Sequence, residues 1–120
     1  MTIRPEIANQ EPLYCYKLNT DANNISRTCI VNYTLRTISK YMERYSLSYK
    51  DPSTGTRHEV ALDKLDTVSH SRYYSFSREW EPVVDAFMKD AVTKRDKAYE
   101  TYLKYDLIVK KLDDLRLEEY

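Results

Sequence analysis

The sequence has 120 residues, which is enough chain for one hydrophobic core and is typical of a single domain. Basic and acidic residues number 19 each, so the formal net charge is zero, and the 42% hydrophobic content is typical of a folded protein. The only glycine, Gly55, excludes the glycine-rich loops that hold nucleotides and the glycine-flanked serine of many hydrolases. Composition therefore favours a small non-enzymatic domain that has no cofactor.

Location is predicted from the lack of targeting signals. The N-terminal residues contain no apolar run of the kind found in secretion signals, and no segment approaches the roughly 18 apolar residues that cross a bilayer. Two cysteines, Cys15 and Cys29, are too few for a disulfide framework in this length of chain, which favours a reducing compartment. We therefore expect a cytoplasmic protein that does not bind membranes.

The first 76 residues are predicted to form an N-terminal arm followed by strands. Residues 1–12 contain two prolines, and we expect residues 1–11 to form the arm. Residues 13–18 and the stretch from Ile25 onward are rich in aromatic and β-branched side chains and flank a turn-rich loop, which predicts a β-hairpin.

Residues 31–49 carry two competing periodicities. Apolar side chains fall on alternate positions, as in a half-buried strand, but some are also spaced by three and four, as in an amphipathic helix. We favour two strands joined near residues 37–40, with a short helix around residues 34–45 as the alternative. The turn chemistry of residues 51–55 then predicts a second hairpin, followed by a loop or helical turn and a short strand at 71–76.

Residues 77–120 have the pattern of one long helix. Pro82 suits its first turn, and no later glycine or proline interrupts it, although the apolar stripe breaks at residues 94–97, where we expect a bend or emergence into solvent. The predicted fold is thus an α+β single domain. Its antiparallel sheet of four to five strands spans residues 12–76 and packs against a long C-terminal helix over about residues 79–118.

The spacing of the cysteines and histidines does not favour a metal site or a catalytic site. Two cysteines and two histidines, His58 and His70, are the number needed for one zinc ion, but neither pair has the short spacing of a zinc ligand pair. A hairpin folded about residues 21 and 22 predicts Cys15 and Cys29 as cross-strand neighbours within disulfide range, although two buried thiols are the favoured interpretation. We interpret both histidines as structural and predict no catalytic or metal-binding residue.

Tyrosine is unusually frequent, with 12 residues, and many of them stand next to lysine or arginine in the sequence. Tyrosine and arginine supply much of the binding energy at protein interfaces and also stack on single-stranded nucleic acid. The zero net charge favours a protein partner, and we expect about half of the rings to lie in the core instead. The predicted partner-binding residues are Arg44, Tyr45, Tyr49, Arg72, Tyr73, Tyr74, Arg78 and Trp80.

These features predict a non-enzymatic protein-binding module. Its size and lack of targeting signals favour a small inhibitor of anti-defence type, encoded by a phage or mobile element, that blocks a larger protein in the host cytoplasm. One alternative is a single-stranded nucleic-acid-binding protein that uses the Tyr- and Arg-rich strands. A further alternative is a homo-oligomeric structural protein assembled through the C-terminal helix. The predicted self-association residues are Tyr102, Tyr105, Val109 and Leu112.

Overall fold

The structure, a computed structural model, describes residues 4–21 and 24–118. The chain divides into two compact units, of which the first ends at Phe87 and the second begins at Met88. The elements in chain order are helix α1 (Pro5–Ala8), strands β1 (Leu13–Asn19), β2 (Asn24–Ile30), β3 (Tyr33–Ser39), β4 (Arg44–Lys50) and β5 (Arg57–Ala61), a 3-10 turn (Leu62–Lys64), strands β6 (Val68–Ser69) and β7 (Arg72–Ser75), and helix α2 (Glu81–Glu118).

The strands of the first unit form two antiparallel sheets. The first sheet has the order β2-β1-β7-β6 and the second has the order β3-β4-β5. The α+β prediction is confirmed, together with its antiparallel pairing and long C-terminal helix. The strands are divided between two sheets because β3 pairs with β4, whereas β1 pairs with β7 from much later in the chain.

The competition between strand and helix over residues 31–49 is resolved as two strands. Strands β3 and β4 pair over most of their length and are joined by a turn at residues 40–43, with a register shift between Thr37 and Ser39. Leu47 and Tyr49, two residues apart, both belong to the hydrophobic core, as the strand period predicts, and the small side chains of Ser46 and Ser48 between and beside them are buried as well. The predicted helix around residues 34–45 does not form.

The predicted turn between β4 and β5 is present, and its side chains explain its shape. The Asp51 carboxylate accepts hydrogen bonds from both the backbone N–H and the hydroxyl of Ser53, at 2.8 and 2.7 Å. Gly55 has a φ of 74°, and its N–H donates to the Asp51 carbonyl at 2.8 Å. Because side chains other than glycine are strained at this φ, the only glycine stands where the turn requires one.

The core of the first unit lies on both faces of the first sheet. One cluster fills the space between the two sheets and includes Leu13, Leu47 and Tyr49. It also takes in Ile7, which is 5% exposed, so the segment predicted as an arm contributes a helical turn to the core. A second cluster covers the other face of the first sheet. Its members are Tyr16, Tyr73, Val83 and Phe87, so the first turns of α2 complete the core.

The second unit is the remainder of α2, described from residue 88 to residue 118. The helix is continuous through residues 94–97, and the side chains of these residues are exposed. The Asp90–Lys94 ion pair, with Nζ to Oδ2 at 2.9 Å, spans one turn there. Of the side chains described in this unit, none is buried. In the described part of the chain, no helix is long and apolar enough to span a membrane.

Candidate functional site

Three of the predicted partner-binding tyrosines lie in the core of the first unit. Tyr49 and Tyr74 are 4% and 8% exposed, and their hydroxyls are hydrogen-bonded to each other at 2.7 Å. Tyr73 is 5% exposed and packs edge-on against Tyr16, with ring centroids 6.0 Å apart. In this conformation the three rings stabilise the fold and are not accessible to a partner.

The other five predicted residues reach the surface in different places. Arg44 is exposed and Tyr45 half-buried at the start of β4, whereas Arg72 is half-buried on β7. Only Arg78 and Trp80 lie together, in the segment that connects β7 to α2. Both are exposed, and Trp80 keeps 42% of its surface accessible.

Arg78 and Trp80 form a surface cluster with two residues that the sequence reasoning did not select. This Arg–Trp patch consists of Tyr14, Arg27, Arg78 and Trp80. The Arg27 guanidinium lies 5.1 Å from the centre of the Trp80 ring and 5.9 Å from that of Tyr14. The Arg78 guanidinium lies 5.7 Å from the Tyr14 ring. Both arginines are thus within the distance at which a guanidinium is attracted to an aromatic face.

The β1–β2 hairpin explains how Tyr14 and Arg27 come together. Its register pairs Tyr14 with Cys29 and Tyr16 with Arg27. Tyr14 and Arg27 are therefore diagonal neighbours on one face of the hairpin, within reach of long and aromatic side chains. The hairpin itself could be predicted from the sequence, but its register and the approach of Arg78 from fifty-one residues later could not.

Side chains of β1 and β2 hold the segment between β7 and α2 in place. The fully buried Tyr16 donates its hydroxyl hydrogen to the Ser77 carbonyl at 2.8 Å, and its ring lies edge-on to Trp80 at 5.3 Å. Arg27 donates a hydrogen bond to the carbonyl of Arg78 at 3.3 Å. The Val84 N–H bonds to the Trp80 carbonyl at 2.9 Å and so begins the helix. Hydrogen bonds and ring packing therefore hold the backbone of the patch against the β1–β2 hairpin.

A polar cleft is the second candidate site of the first unit. It has a volume of about 420 Å³ and lies between the β1–β2 hairpin and the turn after β4. His58 is one of its lining residues, with Nδ1 3.3 Å from Arg72 Nη1 and Nε2 3.8 Å from Asp51 Oδ2. The hydrogen bonds from Ser53 hold the pKa of Asp51 below its usual value, which keeps this carboxylate charged.

The buried groups beside this cleft are suited to hydrogen bonding more than to catalysis. Burial raises the pKa of the Cys15 thiol, so the thiol stays protonated, whereas the nucleophilic form is the thiolate. Burial likewise raises the pKa of Tyr49 and of Tyr74, so neither phenol is set up as a base at neutral pH. The arrangement can bind polar groups, but its cysteine is not activated as a nucleophile.

The prediction that Cys15 and Cys29 are cross-strand neighbours is wrong, because the strand register differs from the expected one by one residue. Strand pairing places Cys29 opposite Tyr14, and Cys15 opposite Thr28. Successive residues of a strand point to opposite faces, so the two thiols lie on opposite faces of the hairpin. Cys15 is buried and Cys29 is exposed, and both are free. The interpretation as two buried thiols therefore holds for Cys15 alone.

The predicted self-association residues all lie on the second unit and are accessible. Tyr102, Tyr105, Val109 and Leu112 are 62%, 61%, 56% and 59% exposed. Among residues 4–21 and 24–118, no three histidine, cysteine or acidic side chains come together as a metal site would require. The chain matches no protein-family model, no curated protein and no solved structure.

Proposed function

We propose that this protein is a non-enzymatic binding module that attaches to a larger protein through the Arg–Trp patch. The supporting observation is that the guanidinium of the half-buried Arg27 lies over the ring of the exposed Trp80, at 5.1 Å, and over that of Tyr14, at 5.9 Å. Trp, Tyr and Arg are the residue types most enriched where interfaces gain their binding energy. Side chains that are already ordered lose little conformational entropy when a partner covers them.

The patch also suggests the chemistry of the partner. Two guanidinium groups, from Arg27 and Arg78, can pair with carboxylates, while the Trp80 ring offers a flat apolar face to an aliphatic or aromatic group. We therefore propose an acidic surface with an apolar residue at its centre. A module of this kind acts by occupying that surface, as a small inhibitor encoded by a phage or mobile element would.

The test compares capture by the wild-type protein with capture by patch variants. Tagged wild type, Arg78→Ala and Trp80→Ala are used to retain proteins from a lysate of the host cell, and a retained protein is then purified and titrated. Binding by either variant should be at least tenfold weaker than wild type. Arg44→Ala is the matched control, because Arg44 is exposed and lies outside the patch. Equal binding by all four proteins would contradict the proposal.

Single-stranded nucleic acid is the second candidate partner, because an arginine stacked on aromatic rings is also suited to nucleobases. Fluorescence of Trp80 can be followed while an oligothymidylate is added at low and at moderate salt. We expect no change in emission if the partner is a protein. If the oligothymidylate quenches the emission at low salt and this quenching is lost at moderate salt, the partner is single-stranded nucleic acid and the proposed protein partner is wrong.

A further inference from the structure

The inner face of the first sheet, which packs against the second sheet, changes from apolar to polar along β1. Alternate residues of β1 lie on this face, in the order Leu13, Cys15, Lys17 and Asn19. Leu13 and Cys15 are buried in the cluster between the two sheets, whereas Lys17 is exposed and Asn19 is half-buried. The last two side chains line the polar cleft described above, which is therefore the open end of the space that the core fills.

Two cations are directly opposed in this cleft. Strand pairing places Lys17 opposite Arg72 of β7, and both side chains line the cleft. Like charges at directly opposed positions of an antiparallel pair repel each other and destabilise the sheet. Within residues 4–21 and 24–118, none of the ion pairs involves either side chain. An anion bound between the two cations would relieve their repulsion.

The acidic side chain on the lining balances the two cations only in part. Asp51 accepts two hydrogen bonds from Ser53 at Oδ1, and its Oδ2 lies 3.8 Å from His58 Nε2. Lys17 and Arg72 outnumber this carboxylate, so the described lining has a net positive charge. Arg72 donates to His58 Nδ1 through Nη1 at 3.3 Å, which orients the guanidinium and leaves further N–H groups for a ligand.

The rest of the lining is rich in uncharged hydrogen-bonding groups. The volume of about 420 Å³ is within the range of small-molecule sites, although most such sites are lined by apolar side chains. In this cleft, the β1–β2 hairpin and the turn after β4 supply hydroxyl and amide groups instead, from Asn19, Ser26, Thr28, Ser53, Thr54 and Thr56. Such a lining suits a ligand that carries hydroxyl groups more than an apolar one.

A phosphate monoester has the charge and the oxygens that this lining requires. It carries about 1.5 to 2 negative charges at neutral pH and has three acceptor oxygens, so it can contact cations on two strands, whereas a carboxylate carries a single charge. Arginine matches two phosphate oxygens at once, and lysine acts as a point charge. We infer that the polar cleft binds a small phosphorylated molecule, with its phosphate between Lys17 and Arg72 and its hydroxyl groups against the hairpin and the turn. The Arg–Trp patch includes Tyr14, which lies on the opposite face of β1, so the two sites are separate.

Isothermal titration calorimetry tests the ligand class with ribose 5-phosphate, glycerol 3-phosphate, ribose and inorganic phosphate as probes. At least one of the two esters should bind about tenfold more tightly than inorganic phosphate, because only the esters add hydroxyl groups next to the phosphate. Ribose should not bind measurably, since it carries no charge for the two cations. An adventitious anion site would bind inorganic phosphate as tightly as the esters. That result, or the absence of binding by both esters, would overturn the inference.

Two variants test the position of the phosphate. Lys17→Gln removes a charge at an exposed position, and Arg72→Lys keeps the charge but loses the contact with two oxygens, so each should weaken ester binding about tenfold or more. Lys40→Gln is the matched control, because Lys40 is exposed and does not line the cleft, and the same charge is lost. Equal affinities for wild type and all three variants would overturn the inference.

Thermal unfolding is a second readout and shows that each variant folds. Without ligand, Lys17→Gln should unfold at the temperature of the wild type or higher, because the substitution removes the repulsion from Arg72. The ester that binds most tightly should raise the unfolding temperature of wild type and of Lys40→Gln, and should raise that of Lys17→Gln much less. An equal increase for all three proteins would place the ester outside the cleft and overturn the inference.

Discussion

The hydroxyls of Tyr49 and Tyr74 lie 2.7 Å apart and connect the two sheets, because Tyr49 belongs to β4 and Tyr74 to β7. Their rings meet edge-on at 6.0 Å, and both side chains are buried. The pair therefore combines ring packing with a hydrogen bond in a part of the protein that is largely shielded from water.

Removing either hydroxyl should destabilise the first unit. Tyr49→Phe or Tyr74→Phe keeps the ring but breaks the bond, and we expect a loss of about 1 to 2 kcal/mol in the free energy of unfolding. Denaturant unfolding, followed by circular dichroism, measures this loss. Tyr99→Phe is the control, because Tyr99 is 62% exposed and should change stability little.

The double variant distinguishes the bond from two unrelated effects. If the two hydroxyls stabilise each other, Tyr49→Phe/Tyr74→Phe should cost less than the sum of the single variants. Additive losses would mean that each hydroxyl acts through another partner and that the contact between the sheets carries no coupling energy.

Stability should fall at alkaline pH. Burial is the main cause that raises the pKa of Tyr49, Tyr73 and Tyr74 above the ordinary value of 10.0. The unfolded chain releases these protons above about pH 10 while the folded protein retains them, so rising pH favours unfolding. We expect the free energy of unfolding to decrease steadily as the pH rises above about 10.

Tyrosinate absorbance at 295 nm checks the same point directly. At any pH above about 10, the folded protein should contain fewer ionised tyrosines than the protein unfolded in urea. Tyr49→Phe is the matched variant, and it should reduce the number of protected tyrosines by one. Identical titration curves for folded and unfolded protein would contradict the account.

The two cysteines should differ strongly in reactivity. Cys29 is exposed, whereas Cys15 is buried and burial raises its pKa. We expect a thiol reagent at neutral pH to modify Cys29 quickly and Cys15 much more slowly. Mass spectrometry after limited labelling measures both. Labelling of Cys15 at the rate of Cys29 in folded protein would contradict the burial of Cys15, and a disulfide between them would contradict the hairpin register.

Gly55 should be required for its backbone conformation and for nothing else. A Cβ at this position would lie 3.7 Å from Lys50 Cε, an ordinary contact, so the cost of Gly55→Ala comes from the φ of 74°. We expect a loss of about 1 kcal/mol for Gly55→Ala and a smaller loss for Gly55→Asn, which tolerates positive φ better. If thermal or denaturant unfolding ranked alanine above asparagine, the turn geometry would be wrong.

Much of the fold can be predicted from local patterns. Alternation identifies β3 and β4, and the Asp51 to Gly55 turn fixes the hairpin that follows them. The burial of both Tyr73 and Tyr74 cannot be predicted in this way, because alternation buries only one of two neighbouring residues on a strand. Both are buried because the first sheet is covered by the second sheet on one face and by the start of α2 on the other.

The Arg–Trp patch is predicted only in part for a similar reason. The density of aromatic and basic residues identifies Arg78 and Trp80, but Tyr14 and Arg27 join them through the pairing of β1 with β2 and the return of the chain after β7. The cysteine register differs from the prediction because a shift of one residue along a strand reverses the face. Such details depend on contacts between distant segments and leave no local signal.

The emission of Trp80 in the complex with a purified partner tests the central proposal most directly. The chain has a single tryptophan, so its emission, with that of the partner's own tryptophans subtracted, reports on the Arg–Trp patch. When the partner covers the patch, the emission maximum should shift to shorter wavelength and quenching by acrylamide should decrease severalfold, because the 42% of Trp80 that is accessible becomes buried. A partner that binds tightly and leaves both the emission and the quenching of Trp80 unchanged would contradict the proposal.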